Sequence, residues 1–222
     1  MVARYDGAHT WSRLSDFDCA LKFKLKHIEK RKEPENKAFV KGGRVHTGLD
    51  QFLKGRSKLI PEEAAPLKKQ VQALAKDKSL TGEEAWGFDR GWAPLPMTGY
   101  FSDADYIRAK VDAMTERADE CKVIDFKTGQ VRSASPLQVR FYGMLALLRK
   151  PKLNTARLEL WFVERGQILP FDPVTRKELL SIRTDFQRRF KAIEEERAWK
   201  PTPGDACTFC PFTRHKGGPC RY

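Results

Sequence analysis

Asp125-Phe126-Lys127 lies inside the run Cys121 to Gly129 and follows another carboxylate, Asp112, by thirteen positions. In an extended strand alternate side chains share a face, so Val123, Asp125 and Lys127 point one way and Ile124 and Phe126 the other. A carboxylate and an ammonium then stand side by side over an apolar face. Asp112 ends a second strand-like stretch, Tyr106 to Val111, and the polar stretch Thr115 to Glu120 reads as a hairpin connection that brings Asp112 back toward Asp125. Two close carboxylates repel unless a cation lies between them, and hard oxygen ligands favour Mg²⁺ or Mn²⁺. Such an ion polarises a phosphoryl oxygen and lowers the pKa of a bound water, with Lys127 nearby to stabilise developing negative charge. The same three residues also fit an exposed hairpin whose charges simply face solvent.

Further polar positions gather around this strand in the sequence. Gln138 and Tyr142 are four residues apart on the helix expected next, so they share one helical face, where they suit either orientation of a lysine, a water or a phosphate, or ordinary packing at a helix-sheet boundary. His46 lies beside the apolar stripe of an earlier helix. A lone histidine there fits an ordinary surface or satisfied core residue, and as a neutral imidazole it would equally complete an oxygen-rich site and tilt its preference from Mg²⁺ toward Mn²⁺. Glu83 and Glu84, just before Trp86, offer a further acidic ligand or a solvated edge.

The tail carries Cys207-x2-Cys210 and, after nine intervening residues, Cys220. Three cysteines do not fill a four-thiolate site, and Cys19 supplies a fourth, whereas Cys121 opens the Val123 strand and reads as a small packing residue. A shared metal site would tie the N-terminal helix to the C-terminus. Tetrahedral Zn²⁺ and an iron-sulfur cluster both accept four thiolates, and free thiols are the bland reading.

The elements that must position these groups fall within a chain of 222 residues, 41% apolar and 11% aromatic, enough for a packed interior. A formal net charge of +13 favours a polyanionic partner, nucleic acid before an anionic membrane, because no long basic amphipathic segment with an aromatic face is evident. The most apolar run, Gly143 to Leu148, is too brief to span a bilayer, and the first residues lack the apolar stretch of a signal peptide. A cytoplasmic protein with unpaired thiols is expected.

Ser15 or Asp16 is expected to cap a helix to about Arg31, apolar through Phe17, Ala20, Leu21 and Leu25 and basic through Lys22, Lys24, Lys26 and Lys30. A second helix is read over 38–53, with Val45, Leu49, Phe52 and Leu53 as core stripe, and a third over 62–78, weakened by Pro66. From Glu83 to Asp125 short strand-like runs suggest one sheet containing Trp86-Gly87-Phe88, the Tyr106 strand and the Val123 strand. Pro136 starts a helix to about Lys150, followed by a strand over 157–163, a short strand near Ile168, a long charged helix over 173–199 and a coil-rich tail.

In order, the chain gives Cys19, His46, Asp112, Asp125-Phe126-Lys127, Gln138-x3-Tyr142 and the terminal cysteines. It resembles the RecB-like branch of the PD-(D/E)XK nuclease superfamily, in particular the iron-sulfur members related to the AddB nuclease domain and the CRISPR-associated single-domain exonucleases. The resemblance extends to local wording: Asp18-Cys19-Ala20-Leu21-Lys22-Phe23, Gly43-Arg44-Val45-His46, Lys110-Val111-Asp112-Ala113, Val123 to Gly129 and Gln138 to Tyr142.

It implies an α/β, restriction-endonuclease-like fold: a mixed central sheet flanked by helices, an N-terminal helical arch and a cysteine-rich C-terminal tail. Residues 1–200 would form the nuclease domain, 1–80 its helical portion and 81–200 its catalytic α/β core, with 201–222 a metal-cluster tail packing back on the N-terminal helix. His46, Asp112, Asp125 and the backbone carbonyl of Phe126 would bind Mg²⁺ or Mn²⁺, Lys127 would orient or activate water, and Gln138 and Tyr142 would organise the site. Cys19, Cys207, Cys210 and Cys220 would hold a 4Fe-4S cluster, zinc being the alternative, although the Thr213 to Gly218 insertion makes the last cysteine interval longer than such proteins usually show. The implied activity is a metal-dependent DNA exonuclease working by metal-activated water on single strands or free ends, in repair or recombination, with helicase or recombination partners. Lys22, Lys24, Lys26 and Arg140 are candidate phosphate contacts. The alternative is a non-catalytic nucleic-acid-binding subunit, which would have no need of the acid, acid, lysine set.

Overall fold

The computed structural model describes residues 4–34, 37–97, 101–131 and 135–222. It divides into two compact units, Lys37–Arg183 and a second made of Met1–Asn36 with Thr184–Tyr222.

The larger unit is built on a four-stranded mixed sheet, β3 (Ala113–Arg117), β4 (Glu120–Lys127), β5 (Thr155–Phe162) and β6 (Gln167–Thr175), in that spatial order. β3 and β4 form a hairpin and β5 and β6 are antiparallel, while β4 and β5 are parallel. That parallel pair requires a crossover, supplied by α5 (Pro136–Arg149). Pro136 opens α5 where a missing N–H costs nothing, and the Ser135 hydroxyl accepts the Gln138 N–H at 3.3 Å.

Each face of the sheet is covered. Ile124, Phe126, Trp161 and Val163 share a buried cluster with Val45, Leu49 and Leu53 of α3 (Lys37–Leu53) and Val71 and Leu74 of α4 (Lys68–Ala75). The opposite face meets α5, whose Gly143 brings the helix close to Leu158 and Val174: a Cβ there would lie 2.7 Å from Leu158 Cδ2. Helix α4 is shorter than its periodicity suggested, because the segment around Pro66 is a 3-10 turn, Glu62–Leu67.

Two expectations about the strands require correction. Thr115 to Glu120 is not a loop: β3 runs to Arg117 and the hairpin closes at Ala118–Asp119, with Ala118 in the left-handed region at φ 52. Nor do the three expected strands share one sheet. β1 (Glu84–Phe88) forms a separate two-stranded sheet with β2 (Ile107–Val111), and the chain bends at Asp112 before entering β3, whose free side takes Thr81 through Thr81 N–H to Met114 O at 2.7 Å.

In the other unit α1 (Trp11–Asp16) is capped by Thr10, whose hydroxyl accepts the Arg13 N–H at 3.2 Å. The single helix expected to Arg31 is instead α1, a break, and α2 (Ala20–Phe23) continuing into a π-helical turn, Lys24–Ile28. Asp16 is not the cap. Its buried carboxylate closes α1 and draws in Lys22 at 2.6 Å, His27 at 2.8 Å and Lys26 at 3.2 Å. An aromatic core of Tyr5, Phe23, Phe190 and Trp199 holds this unit, Phe23 stacking on Trp199 with centroids 5.9 Å apart. Helix α6 (Leu179–Glu195) starts later than expected, after a capping box between Thr175 and Glu178, because Pro173 belongs to β6. Among the described residues no helix is long and apolar enough to cross a membrane.

Candidate active site

The C-terminal end of β4 lies between the two helices that cover opposite faces of the sheet. Val45 and Leu49 are fully buried and fix the rotation of α3, which sets His46 beside the sheet rather than in it. Its Nδ1 is 3.0 Å from Asp112 Oδ1, and its ring meets Phe126 edge to face with centroids 6.4 Å apart. The other oxygen of Asp112 accepts the Phe126 N–H at 2.7 Å, so the bend that ends β2 is tied to the Asp-x-Lys strand by its own side chain.

From the opposite face, Gln138 Nε2 donates to Asp125 Oδ1 at 3.2 Å. Tyr142, one turn further along α5, is buried behind Gln138. Lys127 Nζ lies 2.5 Å from Asp125 Oδ2 as an ion pair, but that oxygen is buried and has no partner with hydrogen-bond geometry. Six predicted side chains, His46, Asp112, Asp125, Lys127, Gln138 and Tyr142, therefore meet around one strand end.

The electrostatics differ from those of a settled ion pair. Burial pushes the Asp125 carboxyl up to about 6, Asp112 adding to the effect and Lys127 and His46 opposing it. For His46 burial favours the neutral ring, yet the hydrogen bond and charge of Asp112 and the charge of Asp125 outweigh it and raise the imidazole above its ordinary value. Burial, with the nearby Asp125 charge, also raises the Tyr142 phenol, so it remains a hydroxyl at neutral pH.

Among the described residues no group of three or more His, Cys, Asp or Glu side chains forms a ready-made cage for an ion. The donor set nevertheless fits a divalent cation. Two buried carboxylates close to each other, the Asp125 carboxyl raised by burial and by Asp112, and a His46 ring nitrogen facing Asp112 are all relieved by one hard positive charge.

A cavity of about 530 Å³ opens beside these groups, lined by Phe39, Gly42, Gly43, His46, Thr47, Glu83, Lys110, Asp112 and Thr128 among others. Glu83 is held by Lys110 at 2.7 Å, while Glu84 accepts the Trp86 indole N–H at 2.8 Å and stays outside that lining. Phe39 and Gly42 are not among the residues singled out in the sequence, and Gly43 enters only within the run Gly43-Arg44-Val45-His46. Their spacing was the available signal: positions 39, 42, 43 and 46 recur at three and four residues, placing them on the helical face of His46.

Within the smaller unit, Cys19, Cys207, Cys210 and Cys220 line one cavity of about 200 Å³. The Thr202 N–H points to Cys19 Sγ at 3.4 Å, and Cys220 N–H donates to Phe212 O at 2.9 Å within the terminal loop. The four cysteines share this cavity's lining, but among the described residues no three of them form a group that could hold a metal ion. Cys121 is fully buried in β4, its thiol pushed up to about 12 chiefly by burial, in keeping with a packing role. Of the candidate phosphate contacts, Lys22 and Lys26 are engaged by Asp16, and Lys24 by Glu29 at 3.2 Å.

A search of curated proteins gives no matching relative. Among solved structures, "Crystal structure of SSO0001" aligns with a TM-score of 0.42 at 13% identity, over 94% of this chain and 85% of that one, a likeness too loose to transfer function. The family model of the PD-(D/E)XK nuclease superfamily matches residues 10–215, a span of nearly the full sequence that contains His46 to Tyr142. The chain belongs to the PD-(D/E)XK nuclease superfamily.

Proposed function

We propose that this protein is a Mg²⁺- or Mn²⁺-dependent deoxyribonuclease of the RecB-like branch, an exonuclease acting on DNA ends. What supports this reading is the meeting of His46, Asp112, Asp125 and Lys127 at the end of β4, with two buried carboxylates facing one imidazole and one ammonium. His46, Asp112, Asp125 and the carbonyl of Phe126 would hold the cation. When bound, it supplies Lewis acidity toward a phosphoryl oxygen and makes a neighbouring water easier to deprotonate.

The remaining work falls to the chain. Gln138 fixes Asp125 through Oδ1 and leaves Oδ2 directed at the site. Lys127 orients the attacking water and offsets the negative charge that develops on the phosphate. Tyr142 keeps Gln138 in place from behind. The net positive charge draws the polyanion in.

In the same proposal Cys19, Cys207, Cys210 and Cys220 hold a 4Fe-4S cluster that ties the terminal segments together, and repair or recombination is the setting. Anaerobic purification followed by iron, sulfide and zinc analysis tests the cluster: iron and sulfide in equal amounts support it, zinc alone refutes it.

Digestion of end-labelled linear DNA and of circular DNA, with Mn²⁺, Mg²⁺ or chelator, tests the activity. Metal-dependent loss of linear DNA only is expected, and Lys127→Ala is expected to reduce it by roughly a hundredfold or more while leaving the fold intact. Cleavage by that variant at the wild-type rate would remove Lys127 from the mechanism.

A further inference from the structure

Phe39 lies on α3 with 82% of its surface exposed, although it lines the same cavity as His46 and Asp112. Large aromatic side chains that a fold leaves in solvent beside a site are available for a ligand's apolar face. Between Phe39 and His46 the helix carries Gly42 and Gly43, two residues that weaken a helix interior. Packing accounts for only one of them. A Cβ on Gly42 would press on Thr128 Oγ1 at 3.3 Å, whereas a Cβ on Gly43 would meet nothing within 4 Å. The missing side chain at position 43 thus makes no room for the protein itself, and it leaves bare helix backbone facing the cavity.

We propose that Phe39 is a stacking platform for an unpaired DNA base, and that the Gly42-Gly43 surface is the floor along which the sugar-phosphate chain passes from that base to the cation site. This rests on the nuclease reading and adds a substrate form to it: a single strand, or a frayed single-stranded end. Two features select that occupant. Every base has a π-face free to stack once it is unpaired, so an aromatic platform works without regard to sequence. The distance also fits. Phe39 and His46 are seven positions apart on the helix, about 10 Å, which corresponds to about three stacked nucleotides or fewer extended ones. The platform is continuous with the site through the cavity wall, where Lys110 and Glu83 pair with each other.

The experiment measures binding of a fluorescein-labelled oligothymidylate to the full-length protein by anisotropy in chelator, so that cleavage plays no part. Phe39→Ala is expected to weaken binding on the order of tenfold, the usual contribution of one stacked base, and Phe39→Tyr to restore most of it. Oligonucleotides carrying one abasic position are then scanned. At the stacked position the wild type is expected to lose about as much as Phe39→Ala does, and the variant to lose little more, whereas elsewhere the two proteins respond alike. A blunt duplex is expected to bind Phe39→Ala as well as wild type. Equal binding of single strands by wild type and Phe39→Ala, or an equal loss on the blunt duplex, overturns the proposal. So does failure of the wild type to bind the single strand. Metal-dependent digestion of linear duplex DNA by the wild type separates that result from failure of the nuclease reading, since digestion that persists in Phe39→Ala leaves the activity standing without the platform.

Discussion

Replacing Asp125 with asparagine is expected to make the metal-free protein more stable. Asp125 is 7% exposed, and burial, reinforced by Asp112, lifts its carboxyl to about 6 despite Lys127 and His46. An ordinary aspartate in the unfolded chain titrates near 4. Between those two values the folded protein keeps a proton that the unfolded chain has released, so stability falls as the pH rises across that window and then stays low. A difference of about two units corresponds to about 3 kcal/mol at neutral pH. Asparagine stands in for the protonated form: it is neutral, nearly the same shape, and its amide oxygen can still accept from Gln138. Lys127 loses its counter-charge, but its side chain is 27% exposed and can be hydrated.

Thermal unfolding in chelator therefore separates the proteins. At pH 7.5 Asp125→Asn is expected to melt roughly 5–10 °C above wild type, given the unfolding entropy of a unit this size, and the gap is expected to close toward pH 4. Mn²⁺ is expected to raise the wild-type midpoint and leave the variant unmoved, because binding to the folded state alone adds stability. An Asp125→Asn protein that is no more stable than wild type at pH 7.5, or whose advantage persists unchanged at pH 4, refutes the argument that this carboxylate is held at a cost for the cation.

Asp16 presents the reverse sign. Burial alone would raise its carboxyl, but His27, Lys22 and Lys26 overcome that and hold it well below the ordinary range, so its stabilisation is present above about pH 4 and is lost as the pH falls; Asp16→Asn is expected to cost about 3 kcal/mol in denaturant unfolding at pH 7 and progressively less in acid. Gly143→Ala places a methyl 2.7 Å from Leu158 Cδ2 and 3.2 Å from Val174 Cγ2 and is expected to destabilise by about 1–2 kcal/mol, whereas with Leu158→Ala already present the same change becomes stabilising through helix propensity; urea titrations of the four proteins measure the coupling. Cys121, buried and with its thiol near 12, is expected to be the last of the five cysteines alkylated by iodoacetamide at pH 8 in metal-stripped protein, as read by peptide mass spectrometry; modification of Cys121 ahead of Cys207 would refute the assignment of a packing role.

Much of the larger unit was legible because local signals and burial agree there. The stripe Val45, Leu49 and Leu53 is both a helical period and the contact with the sheet, and Ser135-Pro136 is both a helix start and the end of the crossover loop. The errors arose where a polar residue had two possible partners. Asp16 reads as a cap, but the lysines and histidine six to eleven residues onward claim it, and the basic face that resembled a phosphate-binding surface is partly turned onto the protein's own carboxylates. Thr115 to Arg117 reads as loop because it is polar, yet β3 lies at the sheet edge, where outward Glu116 and Arg117 are hydrated at little cost. Pro173 similarly belongs to an edge strand that needs no N–H at that point, while the Thr175-x2-Glu178 box marking the true helix start was readable.

The residues that meet at the end of β4 were legible in the sequence and their arrangement was not, because sheet membership depends on contacts far apart in the chain. Asp112 shows why. Periodicity assigns it to the end of a strand, but its two oxygens take His46 from one covering helix and the backbone of β4 from the sheet, and the chain leaves one sheet for another at that residue. Gln138 reaches Asp125 from the other covering helix. A change in the packing of either face thus moves one half of the site against the other. A substitution in the α3 stripe, such as Leu49→Ala, is expected to shift His46 and weaken Mn²⁺ binding, whereas one on the α5 face, such as Val139→Ala, is expected to loosen Gln138 and leave Asp125 held by Lys127 alone. The two lesions reach the same metal through different ligands, so their effects on Mn²⁺ affinity are expected to be distinguishable by pH: the first removes the dependence contributed by His46 and the second leaves it in place.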